Sequence, residues 1–441
     1  MKIKAIIFVT LSTLGCFASD NWADDLLQKA RTSISEKDLN SARTYCQQIL
    51  ERDKDNFSAY FQLGLIAYSD NEYYESLEHY TNCLRTINDR YSPASAYHNM
   101  GTILHEIGNI NEAYFAFEQA IKNSPNITGS YKHLAEIDLM RSEWQKGWEK
   151  FEHEWEKNWN EKKAILQRKD LSDCTILIRD GDGFGDTFNW IRYAKLLKKK
   201  NAKIIVHTRP SLMRMLQMCP YIDECIPWNK EVPECTMSIA LIQLNEIFAD
   251  DVDSIPNDVP YLHVDETNVK YWQKTLPKNR FNIGICWECR TYKDATSGKS
   301  HTKHRAIPLE KLYKLSTVDN VQLINLQKNG GLSQINELPS NHGLYVFNNI
   351  DKNGAFTDSS AIMKNLDLVL TIDTATAHLA GALGVPVWVI LPYNADWRWF
   401  LDRDDSPWYP TMRLFRQPEP GDWDSVITTV KQELEKIIRK K

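Results

Sequence analysis

The sequence predicts an α+α/β multidomain chain: an N-terminal all-α solenoid of helix pairs, then two lobes, each built on a parallel sheet. Three observations predict it. Small residues recur in two matched registers between Trp22 and about Lys157. From Thr175 onward, short apolar runs alternate with segments of helical period. The 441 residues also exceed what one core usually serves, so two or three domains are expected.

The solenoid rests on spacing. The first small residue stands at Ala30, Gly64, Gly101 and Ala135, with separations of 34, 37 and 34. A second follows twelve positions later at Ala42, Ser76, Ala113 and Gly147. Tyr60, Tyr97 and Tyr131 stand four positions before the first mark. Small residues let two helices approach closely, and aromatics fill the gap between neighbouring pairs. This is the helix–turn–helix period of tetratricopeptide repeats, about four of them over 22–160. Such arrays offer a groove for partner proteins or act as a rigid arm. The tryptophans of Trp144–Lys163 are expected in closing helices.

Composition narrows the function classes. A net charge of -5 provides no basic field for nucleic acid. Met1–Lys4 with the apolar Ala5–Ala18 resembles a secretory signal, 1–18, though an unprocessed helix fits equally. No other apolar run is long enough to span a membrane. Localisation therefore stays open, with the cytoplasm favoured by the function argued below. The nine cysteines show no disulfide framework, and Cys286-Trp287-Glu288-Cys289 ends a strand-like run rather than opening a redox helix.

Beyond Thr175, strands are expected at Thr175–Ile178, Lys203–Val206, Asn282–Cys286, Gln322–Leu326, Leu368–Ile372 and Val387–Leu391. A helix is expected at Thr187–Lys199. Strand–helix alternation implies parallel sheets with crossover helices, hence two Rossmann-like lobes over 170–275 and 280–441. In such sheets ligands sit at the carboxyl ends of strands. Three loops lie there. Gly181–Thr187 is neither a dinucleotide fingerprint nor a P-loop, but Gly183 and Gly185 permit close approach, and Asp186 and Thr187 open a helix. Asp186 is either a helix cap, worth about 1 kcal/mol, or a general base. Asp373–Ala382 opens another helix, where free N–H groups of Thr374, Ala375 and Thr376 suit a diphosphate and His378 lies one turn in. Taken alone, that loop is better read as ordinary capping by Asp373 or Thr374, with His378 a packed neutral ring. The basic run Tyr292–Arg305 carries Lys293, Lys299, His301, Lys303, His304 and Arg305, and Gln327-Lys328 follows another strand.

These segments together resemble a known family. Leu366–Leu391 is similar to the signature of heptosyltransferase-like glycosyltransferases, and Asp396–Gly421 to the ending of bacterial repeat proteins bearing such a domain. Gly185-Asp186-Thr187 resembles the family's G-D-x motif, and Ile283–Trp287 with Arg305–Leu309 its W-x-G and R-S-I-P-L elements. Glu288 stands where W-x-G has its glycine. The joining of repeats to such a domain also resembles the O-GlcNAc transferases. The resemblance implies a GT-B type fold and a metal-independent, inverting transfer from a nucleoside-diphosphate sugar to a protein or glycan acceptor. It implies Asp186 as the base on the acceptor side, and Arg305, Gln327, Lys328, Asp373, Thr374, Ala375, Thr376 and His378 around the donor. No cofactor beyond the nucleotide sugar is expected. The rival expectations are an inactive repeat adaptor, or a sugar-nucleotide epimerase or hydrolase.

Overall fold

A computed structural model describes residues 22–87, 91–154, 159–181, 183–249, 251–289, 305–328 and 330–440. The N-terminal region is a run of helix pairs: α1 (Trp22–Ser35) with α2 (Leu39–Arg52), α3 (Phe57–Ser69) with α4 (Tyr73–Arg85), α5 (Ala94–Glu106) with α6 (Ile110–Asn123), then α7 (Thr128–Met140) and α8 (Trp144–Phe151). The spacing of small residues has a direct cause. A Cβ on Gly64 would sit 2.7 Å from the Tyr80 ring, and one on Gly101 2.7 Å from the Phe117 ring. Ser76, the second small mark, donates from its hydroxyl to the Gly64 carbonyl at 2.6 Å. A third register joins these. Lys37, Asn71, Gly108 and Ser142 all have positive φ at the turn between paired helices, and they repeat at the same separations of 34, 37 and 34.

The chain divides into two compact units. One holds the helices up to Asp138 together with Glu149–Glu154. The other holds Leu139–Trp148 and both sheets. The second unit begins with aromatic anchors: the Trp144 indole donates to the Ala249 carbonyl at 2.6 Å, and Trp144 stacks on Phe400. In α9 (Trp159–Leu166), Trp159 donates to Glu246 at 3.0 Å. The expected closing helices are therefore present, with Trp144, Trp148 and Trp159 buried.

Both sheets are wholly parallel. The first has β3 (Glu224–Pro227), β2 (Lys203–Thr208), β1 (Thr175–Arg179) and β4 (Met237–Ala240) in that order. The second runs β6 (Val321–Asn325), β5 (Phe281–Cys286), β7 (Leu368–Ile372), β8 (Val387–Leu391), β9 (Met412–Arg416). Strands β5, β7 and β8 are buried at every position, as expected of sheets covered on both faces. The architecture is Rossmann-like twice over.

Helices α10 (Phe184–Trp190), α11 (Ala194–Lys199) and α12 (Met213–Leu216) connect strands of the first sheet, and α13 (Gln243–Phe248) and α14 (Glu266–Thr275) lead on to the second. Helices α15 (Leu309–Tyr313), α16 (Thr357–Met363) and α17 (Ala375–Ala382) connect strands of the second, and α18 (Trp423–Lys440) follows β9. The single helix expected over Thr187–Lys199 is instead α10, a 3-10 turn at Ile191–Tyr193, and α11. The buried Arg192 explains the break: its Nε takes the Asn189 carbonyl at 2.7 Å, removing an acceptor from the helix. Among the described residues no helix is long and apolar enough to cross a membrane.

A candidate active site at the carboxyl ends of the two sheets

After β1 the chain turns through Asp180, whose buried carboxylate accepts from the Thr208 hydroxyl at 2.8 Å and from Arg209 Nε at 3.2 Å. Burial raises its pKa, with Arg209 opposing. The glycines that follow are small for stated reasons. A Cβ on Gly181 would meet the Asp186 Cβ at 2.6 Å, and one on Gly185 the His378 Cδ2 at 2.9 Å. Asp186 is the third residue of α10. Its Oδ2 accepts from the Gly183 amide at 2.9 Å, and its Oδ1 from Arg398 at 2.7 Å. Thr187 is buried and donates to the Gly183 carbonyl at 3.2 Å.

The second loop follows β7, next to β5, where the strand order reverses direction; such switch points open crevices for ligands. Thr374 is the N-cap of α17 and makes no side-chain capping bond. Thr374 and Ala375, where α17 begins, are only half-buried. A Cβ on Gly185 would lie 3.6 Å from the Ala375 Cα, so the start of α10 abuts the start of α17.

Charges link the two loops. Asp373 pairs with Arg305 at 3.0 Å, Arg305 lies 4.0 Å from Asp396, Asp396 pairs with Arg398 at 2.9 Å, and Arg398 reaches Asp186. The Arg398 guanidinium is centred 5.0 Å from both the Trp190 and Trp397 rings. Burial raises the Asp373 pKa against the pull of Arg305. Burial acts the same way on Asp396, but Arg398 and Arg305 outweigh it and leave that carboxyl below its ordinary range. Burial disfavours the Arg398 charge, yet Asp396 and Asp186 hold it ionised. The structure thus gathers Asp186, Arg305 and Asp373, and adds Arg398 and Asp396, to which the sequence reading gave no role. Their only signal was an interleaving of charge and indole in Asp396-Trp397-Arg398-Trp399.

The other candidates are placed differently. Gln327 is buried and spends its amide on the chain. Its Oε1 accepts from the Trp287 and Glu288 amides at 3.0 Å each, and its Nε2 donates to the Glu288 carbonyl at 2.9 Å. Lys328 lies 3.4 Å from Asp351, a residue that caps the start of α16 through the Asp358 and Ser359 amides. Both therefore stand outside the charge chain. Thr376 is buried. His378 is buried, stacked on Trp399 at 5.2 Å, with Nδ1 2.9 Å from the Tyr409 hydroxyl. Burial, reinforced by Arg398, lowers its pKa to about 3, so at neutral pH the ring brings no charge to an anion. Cys286 is buried with its thiol on Gln327 and its pKa pushed up to about 11 by burial, which suits a core thiol. Lys293, Lys299, His301, Lys303 and His304 lie outside the described residues.

The chain joins helix pairs of tetratricopeptide type to a double Rossmann-like unit. The tetratricopeptide repeat family matches residues 94–127, the α5–α6 pair and its flanks. "Protein FlbA" of Caulobacter vibrioides is 22% identical over 379 residues, 76% of this chain, and the match spans 60% of that relative's length. Two solved structures are similar to part of this chain. The E. coli ADP-heptose lipopolysaccharide heptosyltransferase II is 13% identical with a TM-score of 0.42, covering 60% of this chain and 100% of that one. The glycosyl transferase family 9 protein of Veillonella parvula is 11% identical with a TM-score of 0.43, covering 62% and 91%.

Proposed function

We propose that the α/β unit is a glycosyltransferase that moves a sugar from a nucleoside-diphosphate sugar to a hydroxyl of a protein or glycan acceptor. The observation that carries this reading is the juxtaposition of a carboxylate and a helix N-terminus where strands end. Asp186 begins α10, Thr374 and Ala375 begin α17, and Gly185 keeps the two in contact. The motif resemblances of Gly185–Thr187 and Leu366–Leu391 support the same assignment.

In this mechanism Asp186 takes the proton of the acceptor hydroxyl. Its two oxygens each hold one bond, to Gly183 and Arg398, and each carboxylate oxygen has a further lone-pair site for that proton. The hydroxyl oxygen attacks the anomeric carbon as the bond to the diphosphate breaks, with inversion. Charge on the leaving nucleoside diphosphate is met by the first amides of α17, the Thr374 hydroxyl and the Arg305 guanidinium, and Lys328 would have to leave Asp351 to join them. Fixed donors aimed at developing charge supply about 3 kcal/mol apiece in comparable sites. The repeats select the acceptor. An apolar groove of about 340 Å³ beside Tyr97, Met100, Leu104 and Phe115 supports that division.

One observation favours a second reading. Arg305 and Arg398 are already answered by Asp373, Asp396 and Asp186, which suits an inactive unit carried by an adaptor. A thermal-shift panel of nucleoside diphosphates and their sugars separates the two. A ligand at 100 times its Kd raises stability by about 2.7 kcal/mol. Stabilisation by at least one sugar nucleotide, followed by its turnover with acceptor, is the expected result. A flat panel leaves the adaptor.

A further inference from the structure

We propose that His378 serves this site as a hydrogen-bond acceptor: Tyr409, Asn189 and Arg192 hold its proton on Nδ1, so that a bare Nε2 receives a substrate hydroxyl beside Asp186. The ligand side of this proposal rests on the glycosyltransferase reading. The tautomer does not.

The proton's place follows from a chain of bonds with one donor-only end. Arg192 is buried and can only donate. Its Nε goes to the Asn189 carbonyl, and its terminal nitrogens reach the Trp408 and Pro256 carbonyls, the Tyr261 hydroxyl and Asn189 Oδ1. The last contact, 2.9 Å, fixes the Asn189 amide with its oxygen toward the guanidinium. That same oxygen lies 3.2 Å from the Tyr409 hydroxyl. An amide oxygen carries no hydrogen, so Tyr409 gives its single proton there. Toward His378 Nδ1, 2.9 Å away, Tyr409 then offers only lone pairs. Both contacts are satisfied together when Nδ1 carries hydrogen. Burial keeps the ring neutral, and a neutral imidazole has one N–H, so Nε2 is bare.

Packing holds the ring in that pose. Trp399 stacks on it with planes 22° apart. Gly381 admits the Tyr409 ring, since a Cβ there would come within 2.4 Å of it. On the other edge, a Cβ on Gly185 would meet Cδ2 at 2.9 Å and Nε2 at 3.7 Å. The Nε2 edge therefore faces the residue that precedes Asp186, and among the described residues Nε2 has no hydrogen-bond partner. A bare nitrogen repels phosphoryl oxygens, which carry no hydrogen at neutral pH, and accepts from hydroxyls. The sugar of a donor and the acceptor both supply such groups.

The test is long-range proton–nitrogen correlation of the histidine rings in the full chain, with His378 assigned by loss of its signals in His378→Gln. The ligand-free protein at pH 7 is expected to show a protonated Nδ1 and a pyridine-type Nε2. Tyr409→Phe removes the acceptor and should shift the proton toward Nε2. Asn189→Ala frees the Tyr409 proton for Nδ1 and should do the same, which keeps the test open if one variant does not fold. UDP, ADP and GDP are then compared with UDP-glucose, ADP-glucose and GDP-mannose. Movement of Nε2 by a sugar nucleotide alone places the hydroxyl on the donor. Movement only after a methyl glycoside is added places it on the acceptor. A protonated Nε2 in the ligand-free protein, or Nε2 gaining a proton on adding a free nucleoside diphosphate, overturns the proposal. Because the tautomer is read without ligand, absence of nucleotide binding sinks the transferase reading and not this one.

Discussion

Asp186 holds two bonds of different kinds, and a single substitution separates them. Asp186→Asn keeps an oxygen for the Gly183 amide but removes one of the two carboxylates that face Arg398. Folding should change little, because the Asn oxygen can still accept from the Gly183 amide and Arg398 retains Asp396. Turnover should fall about 100-fold or more, the usual scale for a general base. Nucleotide affinity should hold or rise, since Arg398 loses a competitor for the diphosphate. Unchanged turnover in the folded variant, measured alongside calorimetric nucleotide binding, would remove Asp186 from the mechanism. A second substitution addresses the contact between the loops. Gly185→Ala places a methyl group against the His378 ring and should cost about 1–3 kcal/mol in a denaturant melt, the scale of overpacking. The place of Asp186 in the first turn of a helix was legible because its signals are local: glycines before it and a helical pattern after it. Arg398 was not, because its partner lies 212 residues away and nothing in a linear reading joins an arginine between tryptophans to that loop. Gln327 shows the opposite failure. A polar residue after a strand reads as a ligand contact, yet its amide closes the turn after β5.

Among the elements, the repeats were the easiest to read, since each Gly or Ala mark answers one packing demand that recurs at a fixed interval. The left-handed turn register stayed hidden because Lys37, Asn71, Gly108 and Ser142 share a backbone conformation and no side-chain type. Strands β3 and β4 were missed for a related reason. Each has four residues, too short a run for periodicity to declare itself. Helices α5 and α7 carry a testable pH dependence. His98 contacts Ser130 at 2.9 Å and packs against Phe117 and His133, and His105 also packs against His133. Burial, reinforced by His133, lowers its pKa to about 3 from 6.5. Between those values the unfolded chain binds the extra proton, so stability falls as pH falls. The limiting slope is about 1.4 kcal/mol per pH unit for each such histidine, and partial solvent access makes it smaller. Urea melts at pH 7 and pH 5 should show the loss in the parent chain. In His98→Gln the difference should shrink, while an equal loss in both would assign the acid sensitivity elsewhere.

On the scale of the whole molecule, each compact unit has apolar clusters of its own. Leu27, Ile49, Phe117 and Ile137 belong to clusters among the repeat helices, and Ile283, Leu370, Ile390 and Val430 to one around the second sheet. Separate cores allow separate unfolding events, and the proposed division of labour assigns a different ligand to each. Calorimetry on the full chain reads both at once. Two transitions are expected. Gly101→Val forces a branched side chain into the Phe117 ring and should lower only the transition of the repeats, by overpacking worth about 1–3 kcal/mol. A sugar nucleotide at 100 times its Kd should raise only the other, by about 2.7 kcal/mol. The cross terms carry the argument. Every candidate donor contact, from Arg305 to His378, lies in the unit that holds the sheets, so Gly101→Val should leave nucleotide affinity within about 2-fold, a difference of about 0.4 kcal/mol. Transfer to a macromolecular acceptor should nevertheless fall in that variant, while donor hydrolysis in the absence of acceptor stays level. A variant whose nucleotide affinity collapses with its repeats would refute the division and make the helices part of the donor site.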